Sequence, residues 1–570
     1  MELTVDPAEI GQEVFQYLDP FLQEEVVQNH QIAALTDAHW VEFPIGQPAE
    51  ITTRAGIHEA SPLPPKRVVK RGPRNILPTI TKAIDIFELF YDNSIYNTFV
   101  ENTNSYAVHT NRKGFKPTDK TELRKLWACF LYLGVIKVSQ RELIWKEKSI
   151  FAIPFIQKLF TRNQFEELLH CVHWKDASQL SLAQRRLENG KDAFWTVESF
   201  LGKLTENFRK YYVTGREVDI DEMSIYFKGR HRCKCYNPNK PEKWHFKAYC
   251  LNCAETGYLW NFFMYRGRDE ERDENVSATL YPVVKLLSHS EYDNKGHVLS
   301  LDNWYTSMDA AKVVKEKGMD LVGTIRVNKK GIPKKGIFKK TGKDKKRRGE
   351  SKCYEASIDG NKYYFTAWMD NNPVHILSTF PPRDKPIKRN SKNKNGDYEQ
   401  ITLPRPDIIG TYNSGMGGTD LFDQYGSYYR TTIRCKRWQV RFFTHFLHAA
   451  CTNAYIIYKD IHMTTISYLD FLTMLINELA TVEVDSDSEM EKSIVQTPPR
   501  TYQYRTTWLK DMSRLSGIHN PIVVTKHERR CCIVCPGNKK VNTCCSTCNV
   551  ALCFDKKDSC WEKFHHRPHF

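Results

Sequence analysis

The sequence predicts a multidomain α/β protein: helices first, strands in the middle, helices again, and a small metal-binding tail. Three observations carry that reading. Aromatic and aliphatic residues recur at helical spacing from Ile84 to about Tyr212. From Glu217 the period changes to two. Eight of the 17 cysteines fall between Cys531 and Cys560, a clustering that asks for a local cause.

At 570 residues the chain exceeds what one core sustains, so roughly two to five domains are expected. The pattern divides it into an N-terminal region at 1–80, a helical domain at 81–215, and an α/β domain in two parts at 216–310 and 406–465. An insertion at 311–405 separates those parts; a linker at 466–525 and the cysteine-rich module at 526–570 follow. In the first region, Ala8 to Thr36 reads as a helix and Pro62 to Asn75 as a flexible basic linker. The helical domain carries Phe87, Phe90 and Tyr91, then Leu123, Leu126, Trp127, Phe130 and Leu131, then Phe165, Leu168 and Leu169. Such stripes are core. Strand-like runs follow at Val218–Tyr226, Trp244–Cys250, Leu259–Tyr265 and His297–Asp302, with a helix at about Met308–Lys317. The chain turns helical after Gly418 through Tyr458, and the acidic stretch 483–491 reads as linker.

Hydrophobic residues at 41% are globular composition, which excludes a disordered chain. A net charge of +16 points to a polyanion as partner, nucleic acid or an anionic surface. The longest apolar run, Leu126 to Ile136, is too short to span a bilayer, and the opening residues lack a secretory pattern. An intracellular chain is expected, and there cysteine clusters bind metal rather than form disulfides.

Acids stand where chemistry could reside. Asp219, Asp221 and Glu222 lie on the first strand, Asp302 ends a later one, and Asp420 and Asp423 follow the glycine turn Gly417-Gly418. Only a fold that converges two strand ends and a helix start can join them. Converged carboxylates would suit Mg²⁺ and phosphoryl transfer; taken singly, Asp302 reads as a loop residue and Asp420 as an ordinary helix N-cap.

The segments around these acids resemble one family. DIDEMSIYFKGRHRCKCYNPNKPEKWHFKAYCL (219–251), LSLDNWYTS (299–307) and YNSGMGGTDLFDQY (412–425) are similar, in that order, to the three acidic motifs of piggyBac transposases. RTTIRCKRWQVRFFTHFLHAACTNAYIIY follows the third, and FVENTNSYA (99–107) resembles the start of the family's common region. The likeness spans roughly 85–460. It implies an RNase H-like catalytic domain interrupted by a β-rich insertion. It implies that Asp221, Asp302 and Asp420 are the catalytic, Mg²⁺-holding acids, that Asp423 is a further acid beside the metal, and that Trp438 stacks on or buttresses DNA. It also implies cut-and-paste action on double-stranded DNA at transposon ends and TTAA targets, in a nuclear homodimer. A host-adopted descendant that binds DNA without cutting it is the alternative; the presence of all three aspartates favours the active enzyme.

Two basic or soft-ligand regions remain. Between Arg326 and Arg348 twelve Lys or Arg residues, among them Lys329, Lys330, Lys345, Lys346, Arg347 and Arg348, face one acid, Asp344. With no acid nearby to neutralise the run, it is expected to touch phosphates; a nuclear-import signal and a solvated loop are the other readings. In the tail, Cys532, Cys535, Cys545, Cys548, Cys553, Cys560, His565 and His569 suffice for two tetrahedral Zn²⁺ sites. A cross-brace would assign Cys532, Cys535, Cys553 and Cys560 to one ion and Cys545, Cys548, His565 and His569 to the other, with Cys531, Cys544 and His566 as substitutes. The family carries a similar tail that binds transposon-end DNA. Cys233, Cys235, Cys250 and Cys253, near His231 and His245, read as core thiols before they read as a zinc site.

Overall fold

The computed structural model describes residues 39–45, 70–146, 149–267, 272–273, 275–342, 345–392, 398–431, 433, 435, 437–480, 521–523, 530–532, 534, 540–545, 550–554 and 559–566. The expected helix Ala8–Thr36 and the acidic stretch 483–491 lie outside them. The chain forms two compact units, Met1–Glu483 and Val484–Phe570.

In the first unit a short strand β1 (Val41–Phe43) and β2 (Gly72–Pro73) precede the helices α1 (Ala83–Phe87), α2 (Asn93–His109), α3 (Lys120–Val135), α4 (Pro154–Leu159), α5 (Arg162–Cys171), α6 (Leu182–Lys191) and α7 (Glu198–Tyr211). The starts of α2 and α3 are set by side-chain caps: Asp92 and Asp119 accept backbone N–H bonds from Ile95 and Glu122. The stripes named above are buried as expected, with Phe99, Trp127 and Phe200 packed edge to face.

Strand β3 (Tyr212–Val213) then leads to β4 (Glu217–Tyr226), β5 (Cys235–Tyr236), β6 (Trp244–Cys253), β7 (Leu259–Met264), α8 (Tyr281–Leu286), β8 (Val298–Leu301), α9 (Met308–Glu316) and β9 (Asp320–Thr324). The later elements are β10 (Ser351–Ile358), β11 (Asn361–Met369), β12 (Pro373–Ser378), β13 (Ile387–Lys392), β14 (Tyr398–Leu403), α10 (Asp407–Gly415), α11 (Gly418–Tyr428), α12 (Trp438–His462) and α13 (Tyr468–Ala480). One mixed sheet runs in the order β1-β10-β11-β12-β9-β8-β4-β6-β5, with β7 also on β6. β4, β8 and β9 are parallel, with helix α9 joining β8 to β9, while β4 and β6 are antiparallel.

Three expectations need correction. Within 311–405, β9 to β12 extend the central sheet, and the β13–β14 hairpin alone of its described strands stands outside it. Residues 71–75 are anchored where a flexible linker was expected. Arg71 pairs with Asp460 and Glu255, Arg74 with Glu291, and β2 pairs with β3, so the basic charges meet acidic partners far along the chain. The linker at 466–525 also begins too early: Phe471, Leu472, Leu475, Ile476 and Leu479 form the buried face of α13, which packs on α1 and α3.

Candidate active site

The acids converge because of strand register. Ile220 pairs with Leu301 across the parallel strands β4 and β8. Asp221 and Asp302 are therefore the next residues on neighbouring strands, about 4.8 Å apart at the backbone. Side chains alternate along β4, so Asp219, Asp221 and Met223 share one face. Glu222 takes the other, where Lys247 and the Tyr305 hydroxyl bind it at 3.2 Å. Helix α11 lies across the Asp221 face, packing on β4 and β6, with Asp420 in its first turn and Asp423 one turn on.

What seats α11 is Asp219, a residue the motif reading left without a role. It is fully buried; its Oδ2 accepts the Thr419 backbone N–H at 2.9 Å, while Oδ1 has no hydrogen-bond partner. Gly418 lies so close that an added Cβ would come within 2.1 Å of that Oδ1. Gly415 makes the same approach to Ser300, the residue paired with Asp219. Two glycines thus let the α10–α11 turn touch β4 and β8, which fixes where Asp420 points. The sequence signal was available in Asp-Ile-Asp spacing and in the run Gly-Met-Gly-Gly.

The cluster is electrostatically loaded. Burial pushes Asp219 up to about 7, against the Thr419 hydrogen bonds, with Asp221 and Asp420 adding to the rise. Burial pushes Asp221 up to about 6, aided by Asp302 and Glu222. Asp423 rises to about 7 through burial and the charges of Asp420 and Asp221, although Lys240 and Arg430 oppose it. Asp302 rises through burial and Glu222 while its Oδ1 accepts the Trp304 N–H at 2.8 Å. The oxygens of Asp221, Asp302 and Asp420 do not close into one group within 4.8 Å, a spacing met among the described residues only by three tail cysteines. The donor set still fits a hard divalent cation: it is all carboxylate and mutually repelling, with Asp221 and Asp302 half-buried and Asp420 exposed.

These shifts have a sign. Between the usual carboxylate value of 3.8 and about 7 the folded chain holds more protons than the unfolded one. The acids' contribution is complete below that window and is lost as pH rises through it. Buried histidines such as His297 and His448, held down to about 4, pull the other way up to their usual 6.5. Without divalent ions, thermal melts should therefore show falling stability from about pH 6.5 to about pH 8. Added Mg²⁺ should raise the melting temperature more at the upper end. An equal Mg²⁺ effect at both ends would contradict metal binding by these acids.

A family model described as "Transposase IS4" matches residues 82–455, which include all of these acids. The chain is also 24% identical over 489 residues to the human "PiggyBac transposable element-derived protein 3", covering 84% of this chain and 76% of that one. This chain belongs to the piggyBac-type transposase family. The transposase is 21% identical over 380 residues to the human "PiggyBac transposable element-derived protein 2", 66% of this chain and 61% of the other. Its fold matches the chain in "Cryo-EM structure of piggyBac transposase synaptic complex with hairpin DNA (SNHP)" with a TM-score of 0.61, at 22% identity over 84% of this chain and 97% of that one. Membership places it among enzymes that cut and join DNA strands.

Other anticipated residues of the transposase fall as follows. Trp438 opens α12, half-buried against His231, Phe442 and Phe194 at 4.9, 5.2 and 5.8 Å between ring centres. Arg326 bonds Asn303 and lies over Trp304, and Lys329 donates to the Trp304 carbonyl, so the basic run begins beside Asp302. Lys330, Lys345 and Arg347 are exposed and Lys346 half-exposed. Arg348 is not unneutralised as expected: it pairs with Asp370 at 2.7 Å, an acid that β11 brings back to the run. Cys233, Cys250 and Cys253 are core residues, and no metal group forms among them in the described residues.

In the second unit, β15 (Pro521–Val523) pairs with β18 (Thr543–Cys545) and β16 (Arg530–Cys531) with β17 (Lys540–Val541), ahead of α14 (Cys560–His566). The sulfurs of Cys532, Cys553 and Cys560 lie within 4.8 Å of one another. These are three of the four ligands assigned to the first cross-brace site; Cys535 lies outside the described residues. Of the second set, Cys545 and His565 are buried, and Cys548 and His569 lie outside the described residues. Three converging thiols suit Zn²⁺, whose bonds to sulfur of about 2.3 Å place ligands at such spacing.

Proposed function

We propose that this transposase excises and reinserts DNA at transposon ends and TTAA targets, with Asp221, Asp302 and Asp420 holding Mg²⁺ and Asp423 beside them. The observation that carries this is the meeting of β4, β8 and α11, three sequence-distant elements, at one carboxylate cluster built on the buried Asp219. β7-β6-β4-β8-β9, three antiparallel strands followed by two parallel ones, supports an RNase H-like core. Bound Mg²⁺ would activate the attacking oxygen and stabilise the leaving one. The chain's part is to hold the acids in place: Asp219 seats α11, and backbone N–H groups of Glu222, Trp304 and Tyr305 orient Asp221 and Asp302. In this reading the enzyme works as a nuclear homodimer, with two Zn²⁺ ions structuring the tail. No side-chain nucleophile is used. Cleavage reactions quenched with denaturant should leave all labelled DNA free of protein, and a surviving protein–DNA adduct would refute this.

The two basic regions should divide their labour. Exposed Lys345 and Arg347 and half-exposed Lys346 over phosphates carry no base information, so replacing them with Gln should weaken binding to all duplexes alike and flatten its salt dependence. Arg348 is spared in this test because its Asp370 partner makes it structural. Removing 526–570 should instead lower the preference for the DNA flanking this reading frame over a scrambled duplex. Titration of both variants at two salt concentrations separates the outcomes; an unchanged preference after truncation moves end recognition elsewhere.

A further inference from the structure

The face of the sheet that holds Asp221 does not end at the acids. Along β4 and β6 the pairs Asp221–Cys250, Met223–Ala248 and Ile225–Phe246 share that face. The ladder continues one step past β4, where the Phe227 N–H donates to the Trp244 carbonyl at 3.2 Å. Trp244 is in turn paired with Tyr236 on the edge strand β5. Phe227 is buried, but Tyr236 is 54% and Trp244 39% exposed, with ring centres 4.5 Å apart. An exposed aromatic pair is thus on the catalytic face, six residues or about 20 Å along the strand from Asp221.

Its surroundings are cationic. Lys234 sits 4.5 Å over the Trp244 ring, and Lys228, Arg230, Arg232 and Lys243 of the same hairpin are exposed, Arg232 with its guanidinium on the Gly190 carbonyl. The one acid between 228 and 243, Glu242, is already ion-paired with Arg430. The base of the hairpin is rigid, since His231 stacks on Phe194 and meets Trp438 edge-on. A cross-strand aromatic pair would stabilise any hairpin. That role alone does not call for a shell of cations, whereas stacking platforms for single-stranded DNA combine aromatic faces with basic side chains.

We infer that the β4–β6 hairpin is a second DNA contact, in which Tyr236 and Trp244 stack on unpaired bases of the strand leaving Asp221 and Lys228, Arg230, Arg232 and Lys243 hold its phosphates. The inference rests on the DNA-cutting reading above. At 3.4 Å per step, about 20 Å corresponds to roughly six base steps from the cleaved phosphate.

The test uses the full-length chain and a labelled TTAA duplex, either fully paired or carrying a short unpaired bubble about six base steps from the TTAA. The intact protein should bind the bubbled duplex more tightly. Tyr236→Ala with Trp244→Ala should remove that advantage, by about fivefold or more, while binding to the paired duplex changes little. Tyr236→Phe with Trp244→Phe should restore it, and thermal melts should show both variants folded. Equal bubble preference in the Ala variant and the parent would overturn the inference. Failure of the parent to bind either duplex would instead count against the DNA-cutting reading itself. If the Ala variant melts early, replacing Lys228, Arg230 and Lys243 with Gln provides the second measurement. That variant should lose affinity for the bubbled duplex and have a shallower salt dependence, and unchanged values would reject the site.

Discussion

Asp302→Asn should lower excision by about a thousandfold or more while leaving the protein folded. The substitution keeps shape, and the amide oxygen can still accept the Trp304 and Tyr305 N–H groups that Asp302 binds. What it removes is an anionic oxygen, and metal-assisted charge stabilisation is worth several kcal/mol, each 1.36 being tenfold in rate. It also removes a negative charge near Glu222 and Asp221, both of which repel it. The melting temperature without metal should hence hold or rise slightly. A plasmid excision assay beside a thermal melt reads both effects, and a fully active, normally folded variant would remove Asp302 from the catalytic set.

How much of this was legible beforehand follows from the range of each interaction. The period-two run at 218–226 and the strand ending at Asp302 depend on neighbours in sequence, and both strands formed within a residue or two of expectation. The convergence was not legible from residues alone, because it depends on pairing Ile220 with Leu301, eighty-odd positions away. The motif resemblance supplied it. Charge was misjudged for the same reason of distance. Arg71 looked like linker because Asp460 is far along the chain, and Arg348 looked free because Asp370 returns only through β11. In the other direction, helix α13 was present as an amphipathic pattern from Phe471 to Leu479 and was overlooked. Asp219 was visible but unassigned, since one side chain on a strand does not reveal which helix will land on it.

That landing yields the second large effect, expected at Gly418. A Cβ there would lie 2.1 Å from Asp219 Oδ1, 2.9 Å from the Cys253 carbonyl oxygen and 3.0 Å from the Ala254 Cα. Two of these are backbone atoms, and the third belongs to a buried carboxylate already bonded to Thr419, so none can yield cheaply. Gly418→Ala must push the start of α11 off the sheet. Overpacking of a tight site costs about 1–3 kcal/mol. Stretching the charge-assisted Thr419–Asp219 bond adds about 1.5–3 more. A stability loss of roughly 3 kcal/mol or greater is expected, together with loss of excision, because Asp420 is displaced with the helix. Gly417 provides the comparison. It is the N-cap residue with φ −101°, open to any L residue, and its Cβ would meet nothing within 4 Å. Gly417→Ala should cost less than about 1 kcal/mol and keep most activity. Denaturant melts and excision assays on the pair make the comparison. If both variants behave alike, close seating on Asp219 is not what positions Asp420.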